Sequence, residues 1–388
     1  MKNMRIIQSE LIPIKLWLED IDEGALEQAK NLANLPHAVH HIVVMPDAHV
    51  GYGMPIGGVM ATRDVIIPNA VGVDIGCGMC AVRTSVKEIN IDALKQIMGK
   101  MRDAIPVGFN HHKKKQDEKY MPPVKEELPI VQREYQKALK QIGTLGGGNH
   151  FLEIQKGSDD FIWIMVHSGS RNIGKQVADH YNNIAVDINE QLENPTPKEW
   201  RLAALAMDSK EGQFYFQEMT YCVNFALASR KLMMERIQGI FTAILGDVEF
   251  DHFINIAHNY ASLEEHFGEK LWIHRKGATP AMKGQWGIIP GSQGSKSYIV
   301  KGTGNEDSFM SCSHGAGRIM GRNEARRTLD LKEEIRKLDE KGVLHAIRGA
   351  RDLDEASGAY KEISQVMKDQ EDLVEIVVEL SPLAVIKG

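Results

Sequence analysis

Short apolar runs rich in β-branched residues alternate with glycine- and proline-bearing breaks over the first part of the chain. The runs "HHIVVMP" (40–46), "GGVMATRDVIIP" (57–68) and "CAVRTSV" (80–86), bounded by Pro, Gly or Asp, predict strands of a compact sheet. A helical apolar period takes over at roughly 91–105 and 124–142, and returns in two longer stretches near 173–193 and 214–243. Between the first two lies "NHHKKKQDEKYMPPVKEELP" (110–129), polar and interrupted by prolines, which reads as an exposed loop. Its Lys113–Lys115 run reads as a solvated face, with a phosphate-backbone contact as the second reading. Strand patterns resume in "FIWIMVHS", "KLWIHRKGATP", "WGIIPGS", "KSYIVKG" and "DSFMSCSHGAG", a helix is expected from about 317, and "LVEIVVELSPLAVIKG" (373–388) reads as two further short strands. No repeat of fixed period and no Gly/Ser linker divides the chain. The expectation is a single intertwined α+β domain over residues 1–388, with mixed β-sheets and surrounding helices.

Composition narrows the setting without naming a chemistry. At 43% hydrophobic and 25% charged, with no apolar run approaching a membrane span, the chain reads as a globular protein. The opening "MKNMRIIQSELIP" lacks the layout of a signal peptide. Four cysteines (Cys77, Cys80, Cys222, Cys312) are too few for a disulfide framework and suit a reducing, cytoplasmic compartment. A formal net charge of −6 gives no bulk attraction to nucleic acid, so an RNA partner has to meet a local basic patch.

Five glycine-framed segments each bring a polar residue to the end of an expected strand: "MPDAHVGYG" (45–53), "GVDIGCGMC" (72–80), "GTLGGGNHFLE" (143–153), "MVHSGSR" (165–171) and "CSHGAGR" (312–318). Glycine there lets backbone approach a ligand closely. One such segment is a turn; five presenting His, Asp or Cys point to a shared site. Asp74 and Cys77 alone read as a turn aspartate and a buried thiol. With His150, His167 and His258 on other segments they become a thiolate, a carboxylate and imidazoles able to hold a divalent transition metal. Cys77 and Cys80 also spell C-x-x-C, but no second pair accompanies them as a zinc knuckle requires. "GSRNIGKQ" nearly spells a phosphate-binding P-loop, yet Gln176 stands where the magnesium-binding hydroxyl belongs. His314 sits among small residues that leave room for a bulky phosphorylated ligand, Ser313 alternatively capping a helix. Arg318, Arg322 and Arg326, four residues apart, are expected on one helix face, solvated or against an RNA backbone.

These motifs, in this order, resemble the RtcB family of GTP-dependent RNA-splicing ligases. The resemblance runs from "HIVVMPDAHVGYGMPIGGV" through "GVDIGCGM", "GTLGGGNHFLE", "VHSGSRNIG", "HNYA", "RKGAT", "PGSQGSKSYIV", "SCSHGAGR" and "AYKEI" to "IKG". It implies two Mn2+ ions bridged by Cys77, with Asp74 and His150 completing one shell and His167 and His258 the other. A thiolate by itself suggests zinc or iron, so manganese rests on the resemblance. The same match implies that His314 becomes guanylated, although His274 in "IHRKGAT" competes on local sequence. GTP contacts are implied at Asn149, Glu153, Asn259, Pro290, Gly291, Ser292, Gln293, Ser297, Gly315, Ala316, Gly317, Tyr360 and Lys387, and an RNA-end contact at Asp47. Partners implied are GTP and RNA with 3′-phosphate or 2′,3′-cyclic phosphate and 5′-hydroxyl ends, with room for an accessory activator protein.

The chemistry expected is opening of a cyclic phosphate, transfer of GMP from His314 to the 3′-phosphate, and attack by a 5′-hydroxyl with release of GMP. No K-x-D-G lysine nucleophile is present, which fits a histidine. Two other classes remain: a metallohydrolase of phosphoesters that leaves GTP unused, and a zinc-stabilised RNA-binding protein without turnover. Cys80 matches no ligand, and His111 and His112 read as flexible-loop residues.

Overall fold

Two sheets organise the chain in the computed structural model, which describes residues 4–124 and 127–388. The six-stranded sheet runs in the order Arg5–Ile7, Ile14–Leu16, Ala38–Tyr52, Met54–Thr62, Glu269–Lys276 and Asn259–His266. It is mixed, because Ile14–Leu16 pairs in parallel with Ala38–Tyr52 while its other ladders are antiparallel. The seven-stranded sheet is antiparallel throughout: Phe250–Ala257, Gly78–Thr84, Ile162–Ser168, Phe151–Gly157, Val374–Lys387, Ser297–Gly302 and Trp286–Ile289. Helices cover these sheets, so the class is α+β; of the two sheets, only the first is mixed.

Helices form where the apolar period predicts them, at Ile91–Ala104, Pro129–Gln141, Arg171–Asn189 and Lys210–Leu245. Of the expected 124–142 helix, residues 125 and 126 lie outside the described residues, as do residues 1–3 of the opening segment. Lys210–Leu245 spans 36 residues, about 54 Å at 1.5 Å per residue, and buries Met233, Ile237 and Phe241 against the seven-stranded sheet. Among the described residues no helix is long and apolar enough to cross a membrane.

Three expectations change. The helix placed from about 317 begins at Arg322, because Gly317 adopts a φ of +75° and the chain turns until Gly321 caps the helix. The two C-terminal strands are one, Val374–Lys387, whose register shift between Pro382 and Ala384 accommodates a proline without a ladder N–H. The helix Glu23–Ala33, started by Asp22 accepting from Gly24 and Ala25 N–H, carried no expectation at all.

The long helix also brings a charge into the interior. Arg230 is fully buried, and its guanidinium donates to the carbonyls of Gly76 (2.9 Å), Ser168 (2.7 Å) and Ile256 (3.2 Å) and to Asn255 Oδ1 (2.8 Å). One side chain thereby ties together the three backbone segments that carry Cys77, His167 and His258. A Cβ on Gly76, whose φ is +72°, would stand 2.7 Å from Val223 Cα on that helix, so the turn requires glycine.

Candidate active site

The ends of neighbouring strands converge at one edge of the seven-stranded sheet. Asp74 and Cys77 lie in the turn entering Gly78–Thr84, His150 immediately precedes Phe151–Gly157, and His167 is the penultimate residue of Ile162–Ser168. Pairing of Met79 and of Phe151 with His167 sets these residues side by side, and His258 follows the neighbouring strand Phe250–Ala257. Cys77 Sγ is 3.3 Å from His167 Nε2 and 3.4 Å from His150 Nε2, and Asp74 Oδ2 is 3.1 Å from His150 Nε2. The donor atoms of Cys77, His150 and His167 all lie within 4.8 Å of one another. The His258 ring stands 5.3 Å from that of His167 and 4.8 Å from that of His314.

The electrostatics of this cluster fit a cation. His167 Nδ1 faces the Asn149 carbonyl at 3.2 Å, which places its proton there and leaves the Nε2 lone pair toward Cys77. His258 Nδ1 is sealed from solvent without a partner, an orphaning that buried polar atoms rarely tolerate, while His150 Nδ1, equally sealed, faces the Gly146 loop and not Cys77. Burial, then neighbouring imidazoles, hold His167 and His258 well below their ordinary value, so they are neutral, as ligands must be. Burial and then Asp74 push the Cys77 thiol up, an arrangement that a bound cation would relieve. Sulfur and imidazole donors within this radius, with the Asp74 carboxylate beside His150, can hold a metal.

Facing the cluster stands His314, just beyond the strand Ser311–Ser313. Asp47 Oδ2 accepts from His314 N–H (3.0 Å), His314 Nδ1 (2.6 Å) and Gly315 N–H (3.1 Å). The carboxylate is fully buried, and Lys361 Nζ braces its segment by donating to the carbonyls of Pro46 (2.9 Å) and Ala48 (2.8 Å). Burial alone would raise Asp47, but His314 and the bond to it, with His49 and Lys361, bring it below the ordinary carboxylate range. An ionised Asp47 fixes the His314 proton on Nδ1 and leaves the ring's lone pair on Nε2. The competing His274 is fully buried, takes the Ile67 N–H on Nε2 at 3.0 Å and faces the Trp272 carbonyl through Nδ1, which leaves it no free nitrogen.

A cavity of about 690 Å³ opens beside His314. Asn149, Glu153, Pro290, Gly291, Ser292, Gln293, Gly315, Ala316, Gly317, Tyr360 and Lys387 line it, with His167 marking its border on the Cys77, His150 and His167 group. Asn259 and Ser297 do not line it. Asn259 instead spans Asp74 O (3.0 Å) and Gly277 N–H (2.7 Å), and Ser297 Oγ holds Gly291 N–H (3.1 Å) and Gln155 (3.0 Å). Burial pushes Glu153 up to about 8 against the opposing effects of Lys387 and Gln155, and burial likewise lowers Lys387.

The three arginines do not share a helix face. Arg318 precedes the helix, and all three turn toward the 3-10 segment Ala350–Glu355: Arg318 and Arg322 meet Glu355 at 3.2 and 2.8 Å, and Arg326 meets Asp354 at 2.7 Å. Glu355 also accepts from Tyr360 and lies 3.9 Å from Lys387 Nζ. Nothing local in "RDLDEAS" signals this role. Cys80 points into the apolar core with Sγ 3.8 Å from the Arg230 carbonyl. In the P-loop look-alike, Lys175 is occupied by Asp179, and Arg171 donates to the Gly108 carbonyl at 2.9 Å. Of the loop histidines, His112 stands 2.9 Å from Arg236 Nη1, and His111 is exposed.

Comparison with known proteins places this site in context. The family described as "tRNA-splicing ligase RtcB" matches residues 28–128 and 118–388. The "RNA-splicing ligase RtcB" of Escherichia coli (strain K12) is 37% identical, with all of both chains covered. The "tRNA-splicing ligase RtcB" of Thermococcus kodakarensis is 31% identical over 94% of this chain and 91% of its own. The "RNA-splicing ligase RtcB homolog 1" of Entamoeba dispar is 32% identical over 94% of this chain and 82% of its own. A family match spanning nearly the whole sequence, together with full-length relatives, shows that this chain belongs to the RtcB family.

Proposed function

We propose that the chain is a GTP- and manganese-dependent RNA ligase. It joins RNA 3′-phosphate or 2′,3′-cyclic phosphate ends to 5′-hydroxyl ends through a His314–GMP intermediate and an RNA 3′ end activated with GMP. The observation that carries this reading is the pairing of His314 Nδ1 with the buried Asp47 carboxylate beside a nucleotide-sized cavity and the Cys77, His150 and His167 cluster. Family membership supports the reaction class, and the geometry is compatible with these roles.

In this mechanism Asp47 holds the His314 proton at Nδ1, and Nε2 attacks the α-phosphorus of GTP as pyrophosphate departs. An oxygen of the RNA 3′-phosphate then displaces the imidazole, and the bonding pair returns to Nε2 while the proton stays on Nδ1, hydrogen-bonded to Asp47. A 5′-hydroxyl finally attacks the activated phosphorus and GMP leaves. Asp74, Cys77, His150, His167 and His258 would hold two Mn2+ ions, whose charge when bound orients phosphoryl oxygens and offsets their repulsion. Asn259 orients the loops around Asp74 and Gly277, and Ser297 fixes the Pro290–Gln293 turn. Guanine presents N1–H and N2–H donors next to the O6 acceptor. Glu153 and Lys387, on paired strands and close enough to influence each other, match that edge as acceptor and donor. Residues 1–388 act as one cytoplasmic catalytic domain, a reading supported by Val374–Lys387 pairing with Phe151–Gly157 inside a single sheet.

The test is incubation with α-labelled GTP and Mn2+, followed by acid and base treatment. An acid-labile, base-stable label on wild type that is absent from His314→Ala is expected. A protein that takes no label, or takes it equally in both forms, would overturn the reading.

A further inference from the structure

Asp47 organises a second imidazole as well as His314. His49 follows two residues along the same strand, and its Nδ1 lies 3.0 Å from the Asp47 carbonyl. A carbonyl only accepts, so Nδ1 carries the proton and Nε2 keeps its lone pair. Among the described residues no group is bonded to that Nε2, it is not among the sealed polar atoms, and His49 lines the same cavity as His314. Burial lowers His49 to about 4, with His314 and Lys361 adding to it against Asp47, so the ring is neutral near pH 7. Two imidazoles, each anchored at Nδ1 by Asp47, thus serve one cavity.

Counting protons separates their tasks. Attack of His314 on GTP transfers no proton, and neither does its displacement by a 3′-phosphate oxygen. Sealing differs: as the 5′-oxygen bonds to the 3′-phosphorus and the bond to the GMP oxygen breaks, the 5′-hydroxyl must give up its hydrogen. Resting on the ligase reading above, we propose that His49 is the general base of the sealing step, accepting the 5′-hydroxyl proton on Nε2 while His314 serves only the transfer of GMP. The proton then passes from the imidazolium to solvent, and the products are joined RNA and GMP.

The experiment follows three stages in one reaction with GTP, Mn2+, a 3′-phosphate RNA and a 5′-hydroxyl RNA. In His49→Gln, labelling of His314 and formation of GMP-capped RNA should stay within a few-fold of wild type, while conversion of capped RNA to joined product slows about 10²-fold. Capped RNA should therefore accumulate. In His49→Ala, added imidazole should restore sealing. Sealing by His49→Gln at the wild-type rate overturns the proposal, as does a parallel loss of labelling and sealing that imidazole leaves unrepaired. Failure of the ligase reading looks different, since wild type itself would then neither label His314 nor join ends.

Discussion

The two walls of the cavity handle charge in opposite ways. On the metal wall, Asp74, Cys77, His150, His167 and His258 form a donor-rich pocket in which His258 Nδ1 has no partner and Arg230 spends its guanidinium on neighbouring carbonyls and an amide. On the nucleotide wall, Glu355 already collects Arg318, Arg322, Tyr360 and Lys387. The first wall gathers donors that could hold a cation; the second is balanced internally, so an arriving anion would have to redistribute its bonds. Changes to the first should act all-or-none, whereas changes to the second should be graded.

The largest effect is expected for Cys77→Ser. Bound metal per chain should fall, and RNA joining should drop by roughly 10³-fold or more, measured by metal analysis and single-turnover ligation. Asp47→Asn keeps the shape but no longer demands a proton on His314 Nδ1, so guanylylation should slow on the order of 10² to 10⁴-fold while metal content holds. Glu153 gives the comparison a pH readout. Its folded value, raised to about 8, means that the ligand-free protein is stabilised below the ordinary carboxyl value and loses that stability as pH rises through about 8. Guanine N–H donors favour the ionised form, so GTP binding should release a proton and tighten with pH up to about 8; Glu153→Gln should abolish both slopes in calorimetry. Arg322→Lys, which loses the planar fork held by Glu355, should raise the KM for GTP several-fold with kcat nearly unchanged. Smallest of all, Cys80→Ala should leave metal content and rate within about two-fold and cost about 1 kcal/mol of stability in thermal unfolding, as a small core truncation does.

The metal wall was legible in the sequence because glycine-framed turns announce donors that strand ends then gather: Cys77 and His150 are read locally and meet at 3.4 Å. Separating Cys77 from Cys80 was also within reach, since the absence of a second C-x-x-C already argued against a knuckle. The nucleotide wall was legible only in part. Arg318, Arg322 and Arg326 keep a four-residue spacing that suggests a helix face, but Gly317 at positive φ displaces the helix start, and long-range partners 28 to 37 residues on decide where they point. Arg230 carried no signal either, because a basic residue within an amphipathic helix ordinarily marks the solvated side. Asp47, expected at an RNA-end contact, is buried and makes three bonds to His314 and Gly315, a pairing that its own segment does not signal.

The place of Val374–Lys387 in the seven-stranded sheet has a kinetic consequence. Phe151–Gly157 and Ser297–Gly302 are synthesised long before the strand that must lie between them, at translation rates of about 5–20 residues per second. For on the order of ten seconds after Gly302 is made, both strands wait with bare ladder edges, one of them carrying Glu153. The Glu153 strand therefore gains its neighbour Val374–Lys387 only late in synthesis, and a ribosome stalled in that interval would display two adhesive edges, a ready target for chaperones or for aggregation.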